Sequence, residues 1–226
     1  MRKMRLPVSA VVLAAILALA GCGRTSSENQ PAASIGGPGG AASKANAAKS
    51  DFDLKHPQVI IETSLGSITL ELDGEKSPKT VENFLSYVDA GAYDQTIVHQ
   101  VYKNVALVAG GYDKSLGPVR AQIPIRNEAA ESNLKNMRGT IAMNRQPDVI
   151  DSATSQFFIN VADNPALDCR NRDPENPQGY GYCVFGRVTK GMEVVDRIAD
   201  APVHDTKEFD QTPVQAVVVK AIRRAQ

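Results

Sequence analysis

The stretch Gly139–Asp168, GTIAMNRQPDVIDSATSQFFINVADNPALD, decides how the whole chain is read. Two runs of β-type residues, Thr140–Met143 and Gln156–Val161, flank a polar loop. The stretch carries no metal cluster, no phosphate cradle and no nucleophile with its base. It offers an apolar surface from Phe157, Phe158, Ile159 and Leu167 beside free amide groups. That combination suits binding an uncharged peptide better than breaking a bond.

On the N-terminal side, order is expected to begin near His56. Val59–Glu62 and Ser67–Leu72 read as strands joined by Thr63-Ser64-Leu65-Gly66. Ile68, Leu70 and Leu72 share one face and Ser67, Thr69, Glu71 and Asp73 the other, so a hairpin with one buried face is predicted. Ser77–Gly91 is the best helix. Ser77 suits the N-cap, Pro78 the first turn and Gly91 the left-handed position after the end. Val81, Phe84, Leu85 and Val88 form its apolar stripe. Ile97–Val101 and Val105–Ala109 are short β-type runs, followed by the irregular stretch Tyr112–Arg138. Beyond Asp168 come a polar loop, Cys169–Gly181, a strand, Cys183–Val188, a short helix, Gly191–Ala199, and a last strand, Val214–Ile222. Many short strands with two isolated helices predict a closed antiparallel barrel with helices as plugs.

The chain has 226 residues. Residues 1–21 read as a signal peptide: Arg2, Lys3 and Arg5 precede the apolar run Leu6–Ala20, too short for a comfortable membrane span. The run ends in Leu19-Ala20-Gly21-Cys22, which resembles the bacterial lipobox, so Cys22 is the expected lipidation site. Gly23 is not the aspartate that resembles an inner-membrane retention signal, and a periplasmic, lipid-anchored protein is expected, with the outer membrane preferred. Residues 22–55 are rich in Gly, Ala, Ser, Asn and Pro and cannot bury enough surface to offset ordering. They read as a flexible tether with an r.m.s. reach of about 30 Å. Removing Arg2, Lys3 and Arg5 from 25 basic residues leaves 22 against 25 acidic ones, a net of −3. That balance gives no electrostatic reason to expect nucleic-acid binding.

Residues 56–226 form the expected folded domain. Thr80–Val101 (TVENFLSYVDAGAYDQTIVHQV), Arg138–Met143 (RGTIAM), Ser152–Asp168 (SATSQFFINVADNPALD) and Tyr182–Ile198 (YCVFGRVTKGMEVVDRI) are similar to the cyclophilins, peptidyl-prolyl cis-trans isomerases, in their bacterial periplasmic form. The resemblance implies a mainly β fold: a closed eight-stranded antiparallel barrel capped by two helices, with the substrate groove on its outer face. It implies rotation of X–Pro bonds in proline-containing polypeptides, with no cofactor and no metal, by a protein expected to be a monomer. The family places an arginine where this chain has Gln100. Val105 and Ala106 stand for a phenylalanine and a methionine of the proline pocket, and Val108 for a glutamine that orients the arginine. Asn144 and Arg145 stand where alanine and asparagine are usual. Gln156, Phe157, Phe158 and Leu167 match; Ala166 replaces a tryptophan and Tyr182 a histidine.

The expected peptide-binding set is therefore Val105, Ala106, Val108, Asn144, Arg145, Gln156, Phe158, Leu167 and Tyr182, with Gln100 at the catalytic position. The small side chains predict a wider, shallower pocket over a floor of Phe158, Leu167 and Tyr182. A neutral amide in place of a guanidinium predicts weakened catalysis, because charge-assisted bonds are roughly twice as strong as neutral ones. Arg145 has two readings, a surface loop arginine or a replacement guanidinium. Three functions stay open: an isomerase with weakened turnover, a non-catalytic peptide-binding or chaperone-like module, and a structural envelope lipoprotein. His56, His99 and His204 lack metal-ligand spacing, and His99 reads as a structural histidine. Asp168, Asn171, Asp173 and Glu175 do not have calcium-loop spacing. Cys169 and Cys183 are the even pair left once Cys22 is lipidated. A disulfide between them, worth roughly 3 kcal/mol, is the preferred reading over two free thiols.

Overall fold

The alternation in the first two runs produces the predicted hairpin. In the computed structural model, which describes residues 55–173 and 175–225, β1 (Gln58–Thr63) pairs with β2 (Gly66–Leu72). Val59, Ile61, Ile68, Leu70 and Leu72 all turn inward and are buried. Gly66 adopts φ +135°, and a Cβ there would lie 2.8 Å from Val194, so both backbone and packing require glycine at this turn. The signal peptide, Cys22 and nearly all of the tether lie outside the described residues.

The remaining strands are β3 (Thr96–Val98), β4 (Gln100–Tyr102), β5 (Ala106–Ala109), β6 (Thr140–Met143), β7 (Phe157–Asn160), β8 (Val184–Lys190) and β11 (Val217–Arg224). They pair antiparallel in the order β3-β11-β1-β2-β8-β6-β7-β5-β4. The two ends of that order, β3 and β4, are separated in the chain by His99 alone. They are two halves of one interrupted strand, so the sheet closes on itself. Counted that way, the nine segments make the expected eight-stranded barrel. A second, two-stranded sheet, β9 (Val203–His204) with β10 (Thr212–Pro213), was not legible in the sequence.

Two helices fill the barrel. α1 (Pro78–Asp89) buries the predicted stripe, and Phe84 packs edge-on to Phe157 at 5.5 Å and against Phe185 at 5.2 Å. α3 (Met192–Ala199) buries Val194, Val195 and Ile198. Beside α3 lies a lumen void of about 20 Å³ bordered by Ile61, Leu107, Phe157, Ile159, Ile198 and Val219. These walls are apolar. The lumen is a packed core and not a ligand chamber. A one-turn helix, α2 (Ala129–Ser132), interrupts the irregular stretch.

Two sequence expectations need correction. Ser77 occupies the N-cap position of α1, but its hydroxyl donates to the Val184 carbonyl at 2.8 Å. The cap is Glu128, whose carboxylate accepts from the Thr80 N–H at 2.8 Å, the Lys79 N–H at 3.3 Å and the Thr80 hydroxyl at 2.7 Å. The other correction concerns the disulfide, because Cys169 and Cys183 are both free. Cys183 points beneath the start of α1, with its sulfur 3.5 Å from the Ser77 and Thr80 hydroxyls. Cys169 turns into its own loop, toward the Asn171 carbonyl. Cys183 immediately precedes β8 and is buried, whereas Cys169 is partly exposed.

Candidate functional site

Strand register alone assembles the site. Gln100 pairs with Val108, Val108 with Phe158, Phe158 with Ala142 and Ala142 with Val184, which makes one row across five strands. A neighbouring row runs Tyr102–Ala106–Asn160. The alternate residues, Val101, Leu107, Ile159 and Ile141, belong to the lumen core, so both rows face outward. On that outer face Ala106, Val108, Ala142, Phe158 and Val184 form a second apolar cluster. Tyr102, Val105, Leu134, Leu167 and Tyr182 pack around it.

The centre of the cluster is buried. Phe158 and Val108 are 0% exposed. The Tyr182 ring meets Phe158 edge-on at 5.6 Å, and the Tyr182 N–H donates to the Leu167 carbonyl at 2.9 Å. Val105, Leu167, Tyr182 and Tyr102, all half-buried, are the side chains that an incoming apolar group would touch. Phe158 supports them from beneath.

Gln100 is oriented, although not by Val108. Its amide nitrogen donates to the Tyr102 hydroxyl at 2.7 Å and to Asp210 Oδ1 at 2.6 Å, and the Tyr102 hydroxyl donates to the same oxygen at 2.8 Å. Burial first, then the hydrogen bond to Asp210 and the charges of Asp210 and Asp205, push the Tyr102 hydroxyl pKa upward, so it stays a protonated donor. Asp210 arrives on the loop between β9 and β10, held over β4 by the Val101 N–H donating to the Gln211 carbonyl at 2.8 Å. Tyr102 was traceable in sequence, since it shares the parity of Gln100. Asp210 was not, because 110 residues separate it from Gln100.

Arg145 departs from both of its sequence readings. It is 5% exposed. Its guanidinium donates to the carbonyls of Gly181 at 2.8 Å, Gln146 at 2.9 Å, Pro147 at 3.0 Å and Pro177 at 2.7 Å. It also lies 5.1 Å above the Tyr182 ring. Burial lowers its pKa, partly offset by Tyr182, Asp151 and Asp148. It is a strut that ties the 146–147 turn to the 177–181 segment, with its donors already engaged.

Beyond the end of β6, Asn144 donates to the Gln156 side-chain carbonyl at 3.2 Å, while its own Oδ1 is buried without a partner among the described residues. Gln156 lies over Gly111, where a Cβ would come within 2.8 Å of it. His99 is 1% exposed, edge-on to Tyr112 at 5.1 Å and tilted against Phe209 at 5.2 Å. Burial brings its pKa down to about 4, against smaller opposing effects from Ile97 and Gln156. Sequence reading also missed Asn136, which is fully buried beneath the groove. Its Nδ2 donates to the Leu167 carbonyl at 3.1 Å and its N–H to Asp168 Oδ1 at 2.7 Å, which fixes the loop that presents Leu167. Among the described residues no group of three or more His, Cys, Asp or Glu side chains is placed to hold a metal ion.

A closed eight-stranded barrel with an outward apolar face at Phe158 and Leu167 defines a cyclophilin-like isomerase domain. Residues 58–224 match the model of the cyclophilin type peptidyl-prolyl cis-trans isomerase family, and the chain belongs to that family. It is 41% identical to peptidyl-prolyl cis-trans isomerase A of Dickeya dadantii over 165 residues, 73% of this chain and 83% of that one. A peptidyl-prolyl cis-trans isomerase of Streptomyces antibioticus is 44% identical over 165 residues, 73% of this chain and 96% of that one. Peptidyl-prolyl cis-trans isomerase B of Escherichia coli is 39% identical over 164 residues, 73% of this chain and 97% of that one. A Cryptosporidium parvum cyclophilin superposes with a TM-score of 0.61 at 24% identity, covering 76% of this chain and 98% of the other, and shares its fold.

Proposed function

We propose that this protein binds proline-containing segments of exported polypeptides on the outer barrel face and assists their folding as a weakened X–Pro isomerase. Rotation about an X–Pro amide faces a barrier of about 18–20 kcal/mol because twisting removes resonance. It also leaves a lone pair on the prolyl nitrogen. A donor aimed at that nitrogen lowers the barrier only if it binds the twisted form better than the planar one. The observation that carries the reading is the Gln100 amide, a neutral donor held by Asp210 and Tyr102. To serve a substrate, it must first release a charge-assisted bond. Loss of one transition-state donor costs about 10²–10³ in rate in other enzymes.

The apolar rim of Val105, Leu167 and Tyr182 supports capture of a proline ring, and Asn144 and Gln156 supply polar groups for the adjoining backbone. A related cyclophilin of Cryptosporidium parvum was crystallised in the presence of the dipeptide Ala-Pro, which agrees with a prolyl ligand here. The Arg2–Cys22 segment supports export and a lipid anchor at the periplasmic side of the outer membrane. A second reading, a peptide-binding module without turnover, is favoured by the same Gln100–Asp210 bond.

Exchange spectroscopy of the cis and trans forms of a prolyl peptide, with the full-length protein, tests both. The unmodified protein is expected to turn over slowly, and Gln100→Arg to raise the rate at least about tenfold. Fast turnover in the unmodified protein would sink the weakened-site reading. Peptide binding with no measurable exchange, unrescued by Gln100→Arg, would select the non-catalytic module.

A further inference from the structure

We infer that Asp210 makes the groove select prolyl peptides that carry a cationic side chain next to the proline. This rests on the peptide-binding reading above and names the substrate class of that same site. Where the resemblance places a guanidinium, this structure places a carboxylate, 2.6 Å from the Gln100 amide nitrogen and 2.8 Å from the Tyr102 hydroxyl. Both donors are neutral, so they orient the carboxylate without cancelling its charge. Both converge on Oδ1, and among the described residues no donor is seen on Oδ2. The adjoining Asp205 adds a second negative charge, its Oδ1 accepting from the Gln211 N–H at 3.0 Å.

No ion pair among the described residues involves Asp205 or Asp210. Lys103, next to Tyr102 in the chain, is paired with Asp200 at 3.1 Å. Arg145 is engaged with the Gly181 and Pro177 carbonyls and the Tyr182 ring. Lys207 and Glu208, the other charged side chains of the loop from Asp205 to Gln211, are exposed and of opposite sign. Among the described residues, the end of the groove at Gln100 is therefore net negative. A peptide lying on Val105, Leu167 and Tyr182 brings the neighbours of its proline toward this end. Charges at a binding rim discriminate between partners by attraction and by repulsion together.

The test uses the full-length protein and three peptides that differ only in Lys, Ala or Glu beside the proline, with affinities read by fluorescence anisotropy. At low salt the Lys peptide is expected to bind about fivefold tighter than the Glu peptide. The gap should narrow at high salt, because exposed charges are screened. Asp210→Asn should remove most of it. Equal affinities for the Lys and Glu peptides, a gap insensitive to salt, or a gap unchanged in Asp210→Asn would each overturn the inference. Failure of all three peptides to bind would instead overturn the peptide-binding reading, and this inference with it. The salt series needs no variant, so the test survives poor folding of Asp210→Asn.

Discussion

Position 145 shows how much a residue's neighbours decide its chemistry. A lone arginine on a loop after a strand has the sequence profile of a solvated side chain. Here its guanidinium meets four backbone carbonyls and covers the Tyr182 ring. Those carbonyls have few alternatives once buried, and unsatisfied buried polar groups cost about 1–3 kcal/mol each when nothing replaces the lost partner. Arg145→Ala is expected to destabilise the fold by about 2–3 kcal/mol, read by urea denaturation. Turnover per folded molecule should barely change. A large loss of rate at unchanged stability would return Arg145 to the catalytic role that its bonding here excludes. At position 100 the sequence gives a neutral side chain. The Asp210 contact that now governs the side chain was hidden, because it joins residues 110 apart.

Among the elements, α1 was the most legible and its cap the least. Pro78 at the first turn and the stripe Val81, Phe84, Leu85 and Val88 carry local information that no tertiary contact is needed to read. Ser77 is a good capping residue, but its hydroxyl is drawn to the Val184 carbonyl, and Glu128 serves the helix from outside. Glu128→Ala is expected to cost about 0.5–2 kcal/mol, the range for losing a helix cap. Denaturation of that variant beside Ser77→Ala checks which group caps the helix; an unaffected Glu128→Ala would refute this assignment. The same corner decides the thiols. Cys183 lies under the start of α1 with its pKa raised by burial, so it resists alkylation in the folded protein. Peptide mapping without reductant is expected to find no 169–183 bond, whereas recovery of the linked peptide would contradict the structure. Sequence spacing showed that a pair was available. It could not show which way each side chain faces.

For the whole molecule, closure is the property to explain. β3 and β4 are halves of one strand, and His99 is the joint. Its ring is enclosed by Tyr112 and Phe209, from segments before and after the outer groove loops. Burial holds its folded pKa at about 4, against roughly 6.5 when unfolded. A folded pKa below the unfolded one means that the unfolded chain takes up a proton first as pH falls. Stability from this group is full above about pH 6.5, declines between there and pH 4, and levels off below. Linkage gives a loss of about 2 kcal/mol between pH 7 and pH 5. Asp89 and Asp94 have pKa values lowered by bonds to Arg224 and Arg223, so their losses fall at lower pH. Chemical denaturation at pH 7 and pH 5 should show this loss in the unmodified protein and much less of it in His99→Phe. An equal loss in both would assign the pH dependence elsewhere.

The sequence by itself determined the barrel class, both large helices and the inward or outward side of most strand residues. Those follow from periodicity, which is a local property of the backbone: successive side chains of a strand must point to opposite faces. It also carried the family motifs. Only the tertiary structure decided that the ends of the sheet meet at His99, that Glu128 caps α1 and that Asp210 holds Gln100. Each of these joins residues distant in the chain, and burial there sets the strength and charge of the contact. The intact Gly139–Asp168 stretch builds the floor of the groove, while the loop after β9 decides what faces it.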